Sequence, residues 1–301
     1  MTEESVEELY RLVLGRPPDG EAGAEAAARL AAGTLSRAGL LAELVASGEF
    51  TRLRAIEDGI ALARRARAAR ARPHGLTGPP GTDERVVEIP WVLARYRGER
   101  RVLDLGSANA DPAYLAALVE AAPGAVGLDL AEAAIPGLRT EVGDLRRLPF
   151  GDRAFDVAFC VSTLEHVGAD NATYGVVSGE GGVPEALGEL RRVLGRDGYA
   201  LVTVPCGEEE DRGWFVQHGH EGWNRLFAAA DFAVFDQELY VLGPDGWRVG
   251  DDDRSGYGRS GPAASAVLCS ELHPGRRRHA LRRRAALLLR RSSPPGLPRP
   301  R

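Results

Sequence analysis

The stretch Arg101–Asp111, RVLDLGSANAD, limits the possible folds more than any other part of the chain. An apolar run, Val102 to Leu105, carries one acid at Asp104 and stops at Gly106. Small residues follow, and Tyr114, Leu115 and Leu118 then recur at helical spacing. That order reads as strand, tight turn, helix. A helix opening at the carboxyl end of a parallel strand presents unpaired N–H groups, and small residues let a ligand approach the backbone. The next apolar run, Ala125 to Leu128, ends in Asp129, twenty-five positions after Asp104. An α/β nucleotide site places the acid that bonds the ribose hydroxyls roughly 20 residues on. The two acids therefore mark one site at two adjacent strand ends.

From Arg100 onward, apolar runs alternate with helical patterns, which implies parallel strands joined by crossover helices. Strands are expected near 101–105, 125–129, 138–142, 155–160, 199–204, 232–240 and 264–270. The last two enclose a polar loop, Gly243 to Pro262, with no helix between them, so they should pair antiparallel. A turn, Gly195 to Gly198, precedes the fifth strand. Ahead of the first strand, Val86, Val87, Ile89, Trp91, Val92 and Leu93 predict a helix over the sheet edge, bent at Pro90.

The N-terminal residues read differently. Val6, Leu9, Tyr10, Val13 and Leu14 fall at helical spacing, and Gly15 to Gly20 breaks the pattern. An alanine-rich helix ends near Gly33, Ser36 caps a third, and Ser47-Gly48-Glu49-Phe50 introduces a fourth. Residues 56–72 continue as an Ala/Arg helix, and Pro73 to Gly81 forms a loop. The expected organisation is a small all-α domain at 1–56, helix and linker at 57–82, an α/β domain at 83–274 and an Arg/Pro-rich tail at 275–301. The tail reads as disordered, with a short amphipathic stretch around Ala285 to Leu289 as a possible peripheral membrane contact.

The net charge of −5 argues against a general nucleic-acid binder. Cys160, Cys206 and Cys269 form neither an even disulfide set nor a paired metal-ligand spacing, so buried thiols in a reducing compartment are expected. His218, His220 and Asp251 to Asp253 follow no metal-ligand spacing either, and no metal is expected. Acidic residues follow Met1 where a secretory signal would be basic and then apolar. No apolar run reaches the length of a membrane span. The expected location is the cytoplasm.

The first motif, with Gly143-Asp144, Phe155-Asp156-Val157, Glu165-His166 and Leu190 to Pro205, resembles the class I S-adenosylmethionine (SAM)-dependent methyltransferases of type 11. The resemblance spans about Asp83 to Pro274. It departs from the family where glycines after Gly106 are replaced by Ser107-Ala108-Asn109-Ala110. It implies a Rossmann-like, seven-stranded, mostly parallel sheet with an antiparallel C-terminal hairpin, and SAM as cofactor. The implied cofactor contacts are Asp104 and Leu130, the backbone at Gly106, Ser107 and Ala108 facing the methionine end, Asp129 at the ribose, Asp144 with Leu145 at the adenine edge, and Ser162 beside the methyl group. The Ser-Thr-x-Glu-His and Thr-Val-Pro patterns resemble methyltransferases of polysaccharide gene clusters. Leu9-Tyr10, Leu14-Gly15-Arg16 and Ser47-x-Glu49-Phe50 resemble a helical domain related to phycobilisome-linker repeats, a possible docking module for a protein partner.

Methyl transfer to a hydroxyl releases a proton, which an imidazole of near-neutral pKa can accept. His166 is the candidate base and Glu165 its competitor. Trp214, Gln217 and His218 are the candidate substrate contacts, an aromatic face for a sugar ring with two hydrogen-bonding neighbours. The expected acceptor is a surface-glycan precursor or nucleotide sugar. The alternatives are a small quinone- or polyketide-type metabolite, or SAM binding without turnover.

Overall fold

The computed structural model describes residues 3–170, 182–251, 256–258 and 263–275. The expected tail contact with a membrane lies outside the described residues. Among them, no helix is long and apolar enough to cross a membrane.

Four helices open the chain: α1 (Glu3–Leu14), α2 (Gly20–Ala31), α3 (Arg37–Val45) and α4 (Gly48–Ala68). Ser36 and Ser47 cap the last two by accepting the Gly39 and Phe50 N–H groups at 3.0 and 3.1 Å. Val6, Leu9, Leu14, Ala26, Leu30, Leu40 and Leu44 close a small core, with Phe50 and Leu53 of α4 against it. Farther along α4, Ile56, Ile60, Ala63 and Ala66 belong to a second core, shared with the sheet. One helix thus serves two cores.

The α/β part holds α5 (Arg85–Arg95), β1 (Val102–Leu105), α6 (Pro112–Ala121), β2 (Val126–Asp129), β3 (Arg139–Val142), β4 (Phe155–Val161), a 3₁₀ turn (Leu164–His166) and α7 (Val183–Val193). It continues through β5 (Leu194–Pro205), β6 (Glu210–Asp211), β7 (Val216–Gln217), α8 (His220–Ala229), β8 (Phe232–Gly243), β9 (Gly246–Val249) and β10 (Ala266–Pro274). The main sheet runs β3-β2-β1-β4-β5-β10-β8-β9. The first five strands in that order are parallel, and β10 joins both β5 and β8 antiparallel. Alternation along the strands separates the two faces. Val157, Phe159, Tyr199, Leu201, Val267 and Cys269 face α4, α5 and α6, and Ala158, Cys160, Ala200, Val202 and Leu268 face α7 and α8.

Three details differ from the sequence expectation. An eighth strand, β9, lies inside the stretch expected to be a polar loop, where Pro244-Asp245 turns β8 back into an antiparallel pair with it. The Gly195–Gly198 turn is absorbed into β5 as a bulge: Phe155 pairs with Leu194, and the next partners are Val157 and Tyr199. Helix α5 lies over β4, β5 and β10 in the middle of the sheet and not at its edge. Covered by α4 on its other side, it is buried all round from Val86 to Arg95, as an apolar helix between two layers must be. The edge is closed instead by the loop after α4, where Gly78 and Trp247 exchange backbone hydrogen bonds at 2.8 and 3.1 Å.

Candidate active site

The carboxyl ends of β1, β2 and β4 open on a cavity of about 530 Å³, within the size range of small-molecule sites. Gly106 makes the corner that starts it. Its N–H donates to the Leu128 carbonyl at 2.9 Å. Its φ is +88°, and a Cβ there would stand 2.3 Å from Thr163 Oγ1, so both backbone and space demand glycine. None of Ser107, Ala108, Asn109 or Ala110 has a positive φ. The residues that replace the family's glycines are therefore accommodated without backbone strain.

Asp129 lines the cavity and also holds the corner, one carboxylate oxygen accepting the Ala108 N–H at 2.8 Å. Leu130, Asp144 and Leu145 line the same wall. The Asp144 carboxylate accepts the Arg146 backbone N–H at 2.8 Å and pairs with the Arg146 guanidinium at 2.7 Å. The guanidinium hydrogen bonds hold its pKa below the usual carboxylate range. Asp104 and Ser107 lie beneath the corner and not on its surface: both are buried. Tyr114 donates to Asp104 at 2.5 Å, and the second Asp104 oxygen and the Ser107 hydroxyl have no partner. Burial drives the Asp104 pKa up to about 7 against the pull of the Tyr114 bond. At the far side, Asp111 caps α6, one oxygen accepting the Ala113 N–H at 2.9 Å.

The opposite wall follows β4. Ser162 has a φ of +43°, unusual for a residue with a side chain, and its hydroxyl donates to Glu88 at 2.7 Å. Glu88 also accepts from Arg85 at 2.6 Å, and Arg85 faces the cavity. Glu165 is buried beside this pair, and one of its carboxylate oxygens has no partner. Burial raises its pKa well above the ordinary value, and the neighbouring Glu88 adds to that. His166 lines the cavity. Its Nδ1 lies 3.0 Å from the Trp214 carbonyl oxygen, which can only accept, so Nδ1 carries the proton and Nε2 is the basic nitrogen. Burial lowers the His166 pKa, and the carbonyl bond only partly offsets that.

Trp214 sits between β6 and β7 with its ring stacked on His166 at 5.4 Å, and it is 46% exposed. Phe215 and Tyr257 complete an aromatic cluster behind it. The other two expected substrate contacts lie outside the cavity lining. Gln217 is buried and donates to the Glu208 carbonyl at 2.9 Å. His218 pairs with Glu209 at 2.6 Å beside a separate, smaller hollow. Sequence reasoning missed Arg85, Asp111, Tyr114, Arg146 and Thr163 as parts of the site. Thr163 reaches the site through a contact 58 residues away, and Arg85 faces it only once α5 is packed on the sheet, so neither shows in local spacing. Asp111 and Tyr114 did stand in the legible helix opening, but only as pattern.

The donor set fits SAM. A corner that admits no Cβ, cavity-facing carboxylates at Asp129 and Asp144, and apolar faces at Leu130 and Leu145 suit a polar nucleoside with an amino-acid arm. Bound there, SAM supplies an electrophilic methyl group.

Residues 103–202 match the methyltransferase domain family. Among curated proteins no relative matches. Solved structures similar to this chain include a SAM-dependent methyltransferase from Thermotoga maritima described as a possible histamine N-methyltransferase. It is 16% identical, with 74% of this chain and 97% of that one covered and a TM-score of 0.43. A putative methyltransferase from Bacillus halodurans is 12% identical, with 62% and 96% covered and a TM-score of 0.43. The Burkholderia thailandensis 1,6-didemethyltoxoflavin-N1-methyltransferase, solved with S-adenosylhomocysteine, is 15% identical, with 73% and 85% covered and a TM-score of 0.40. The matched segment, residues 103–202, holds β1 to β4 and most of β5 with the strand ends that open on the cavity, and supports a SAM-dependent methyltransferase.

Proposed function

We propose that this domain methylates a hydroxyl group of a surface-glycan precursor or nucleotide sugar in the cytoplasm, with His166 as the base. The observation that carries the reading is the 3.0 Å contact between His166 Nδ1 and the Trp214 carbonyl oxygen. The Trp214 carbonyl accepts a hydrogen bond from Nδ1–H, which leaves a lone pair on Nε2 of a ring that lines the cavity. A depressed pKa keeps that ring neutral at pH 7, ready to accept the proton that leaves as the C–O bond forms. Glu165 suits this role less well, because burial favours its protonated form. The open Trp214 face offers a stacking surface for a pyranose ring.

A small apolar metabolite is the competing acceptor, favoured by Ile89, Val161 and Val167 on the same wall. The N-terminal helices read as a linker-like module of the kind found beside polysaccharide enzymes. To test the proposal, the protein is incubated with methyl-labelled SAM and fractionated cell extract. Label is expected in sugar nucleotides or glycan as methyl ether, and to be lost with His166→Asn. Label confined to lipid-soluble metabolites, or equal turnover by His166→Asn, would refute it.

A further inference from the structure

The proposal concerns Arg52, a residue of α4, and rests on the SAM-binding reading of the cavity. Its guanidinium bridges two segments that border the site. Nε donates to Asp83 at 2.7 Å, just ahead of α5, and Nη2 donates to Asp111 at 2.8 Å, the N-cap of α6. The side chains are substantially sheltered: Arg52 and Asp83 are each 27% exposed, and Asp111 is 8% exposed. Burial opposes the charge on Arg52, but the two carboxylates overcome it and hold the guanidinium firmly protonated.

The two tethered segments carry the cavity wall. Helix α5 contributes Arg85 and Ile89, and its Glu88 holds the strained Ser162. The α6 opening contributes Asn109, Ala110, Asp111 and Tyr114, and Tyr114 in turn bonds Asp104 beneath the corner. Asp111 has one oxygen committed to the Ala113 N–H and the other to Arg52. Without the cation, two carboxylates would remain at neighbouring helix starts with nothing to hold their spacing. Placing a guanidinium between two carboxylates with fixed N–H directions defines both distance and angle.

We infer that Arg52 is a positioning residue for the cofactor: the N-terminal helical module supplies, through α4, the tie that sets the distance between the α5 and α6 walls of the SAM cavity. The module is then part of the binding machinery and more than an attached spacer.

The test is calorimetric titration of SAM onto the full chain, with thermal melting of each variant. Arg52→Ala is expected to weaken SAM binding about tenfold, the scale of coupling between linked sites. Arg52→Lys, which keeps the charge but loses the fork, should fall between it and the wild type. Arg29→Ala, which removes an ion pair of the module with Glu43 away from the cavity, should bind as the wild type does. A folded Arg52→Ala protein with unchanged affinity overturns the proposal, as does an equal loss in Arg29→Ala. Should Arg52→Ala fail to fold, Asp83→Ala reads the same tie from its other end: weakened binding supports it and unchanged binding overturns it. Failure of the wild type itself to bind SAM would instead remove the cofactor reading, and the proposal with it.

Discussion

The imidazole of His166 donates from Nδ1 to the backbone carbonyl of Trp214, two residues from β7, while its ring stacks on the indole of the same residue. Imidazole and aromatic wall are thus fixed to one another by a single residue. If His166 is the base, activity should fall as pH drops through its folded-state pKa, which lies below 6.5. Its stability contribution has the same sense: a depressed pKa favours the folded state above the unfolded value and is lost on acidification. His166→Asn should reduce kcat by about 10²–10⁴ and leave SAM affinity unchanged, measured by steady-state kinetics and calorimetry.

Gly106→Ala should be among the most damaging single changes. The new Cβ needs a φ of +88° and would collide with Thr163 Oγ1, which is already committed to the Leu105 and Val161 carbonyls. A loss of roughly 1–3 kcal/mol is expected from the backbone alone, with the overlap adding to it. Urea unfolding measures it, and SAM binding should weaken in parallel.

Asp104 makes the opposite prediction about pH. Its folded pKa of about 7 exceeds the unfolded value, so its contribution is full below pH 4 and is lost as pH rises through 7. Asp104→Asn keeps an acceptor for Tyr114 without a charge to bury. The variant should show a flatter stability profile between pH 4 and 7 than the wild type, read from melting temperatures across that range.

On the remote side of the sheet, Glu271 is wholly buried and engages Arg72, Arg97 and His273. Burial alone would raise its pKa, but His273 and the two arginines outweigh it and hold the value at about 2. Its stabilisation is therefore present above about pH 4.5 and should fade as pH falls toward 2. Glu271→Gln removes the buried carboxylate that faces Arg72, Arg97 and His273 and should lower stability at neutral pH by urea unfolding, with SAM affinity unaltered.

Much of the fold was legible because buried parallel strands are written as apolar runs, and β1, β2 and β4 each end in residues that line or underlie the cavity. The acids at 104 and 129 could be placed at strand ends from spacing alone. Which of them faces the ligand could not: Asp104 points beneath the corner to Tyr114, a contact made by the turn and not by the motif. Strand β9 escaped notice because four residues, two of them exposed, carry no period, although Pro244-Asp245-Gly246 was a usable turn signal. The central position of α5 was hidden for another reason. A helix apolar all round is compatible with edge or centre, and only the second layer, α4, decides it.

Because α4 lends Phe50 and Leu53 to one core and Ile56, Ile60, Ala63 and Ala66 to the other, it has no point at which the chain can be divided without stripping one of them. Heating should consequently produce a single calorimetric transition, and any shortened form beginning after residue 68 should expose the apolar back of α5 and precipitate.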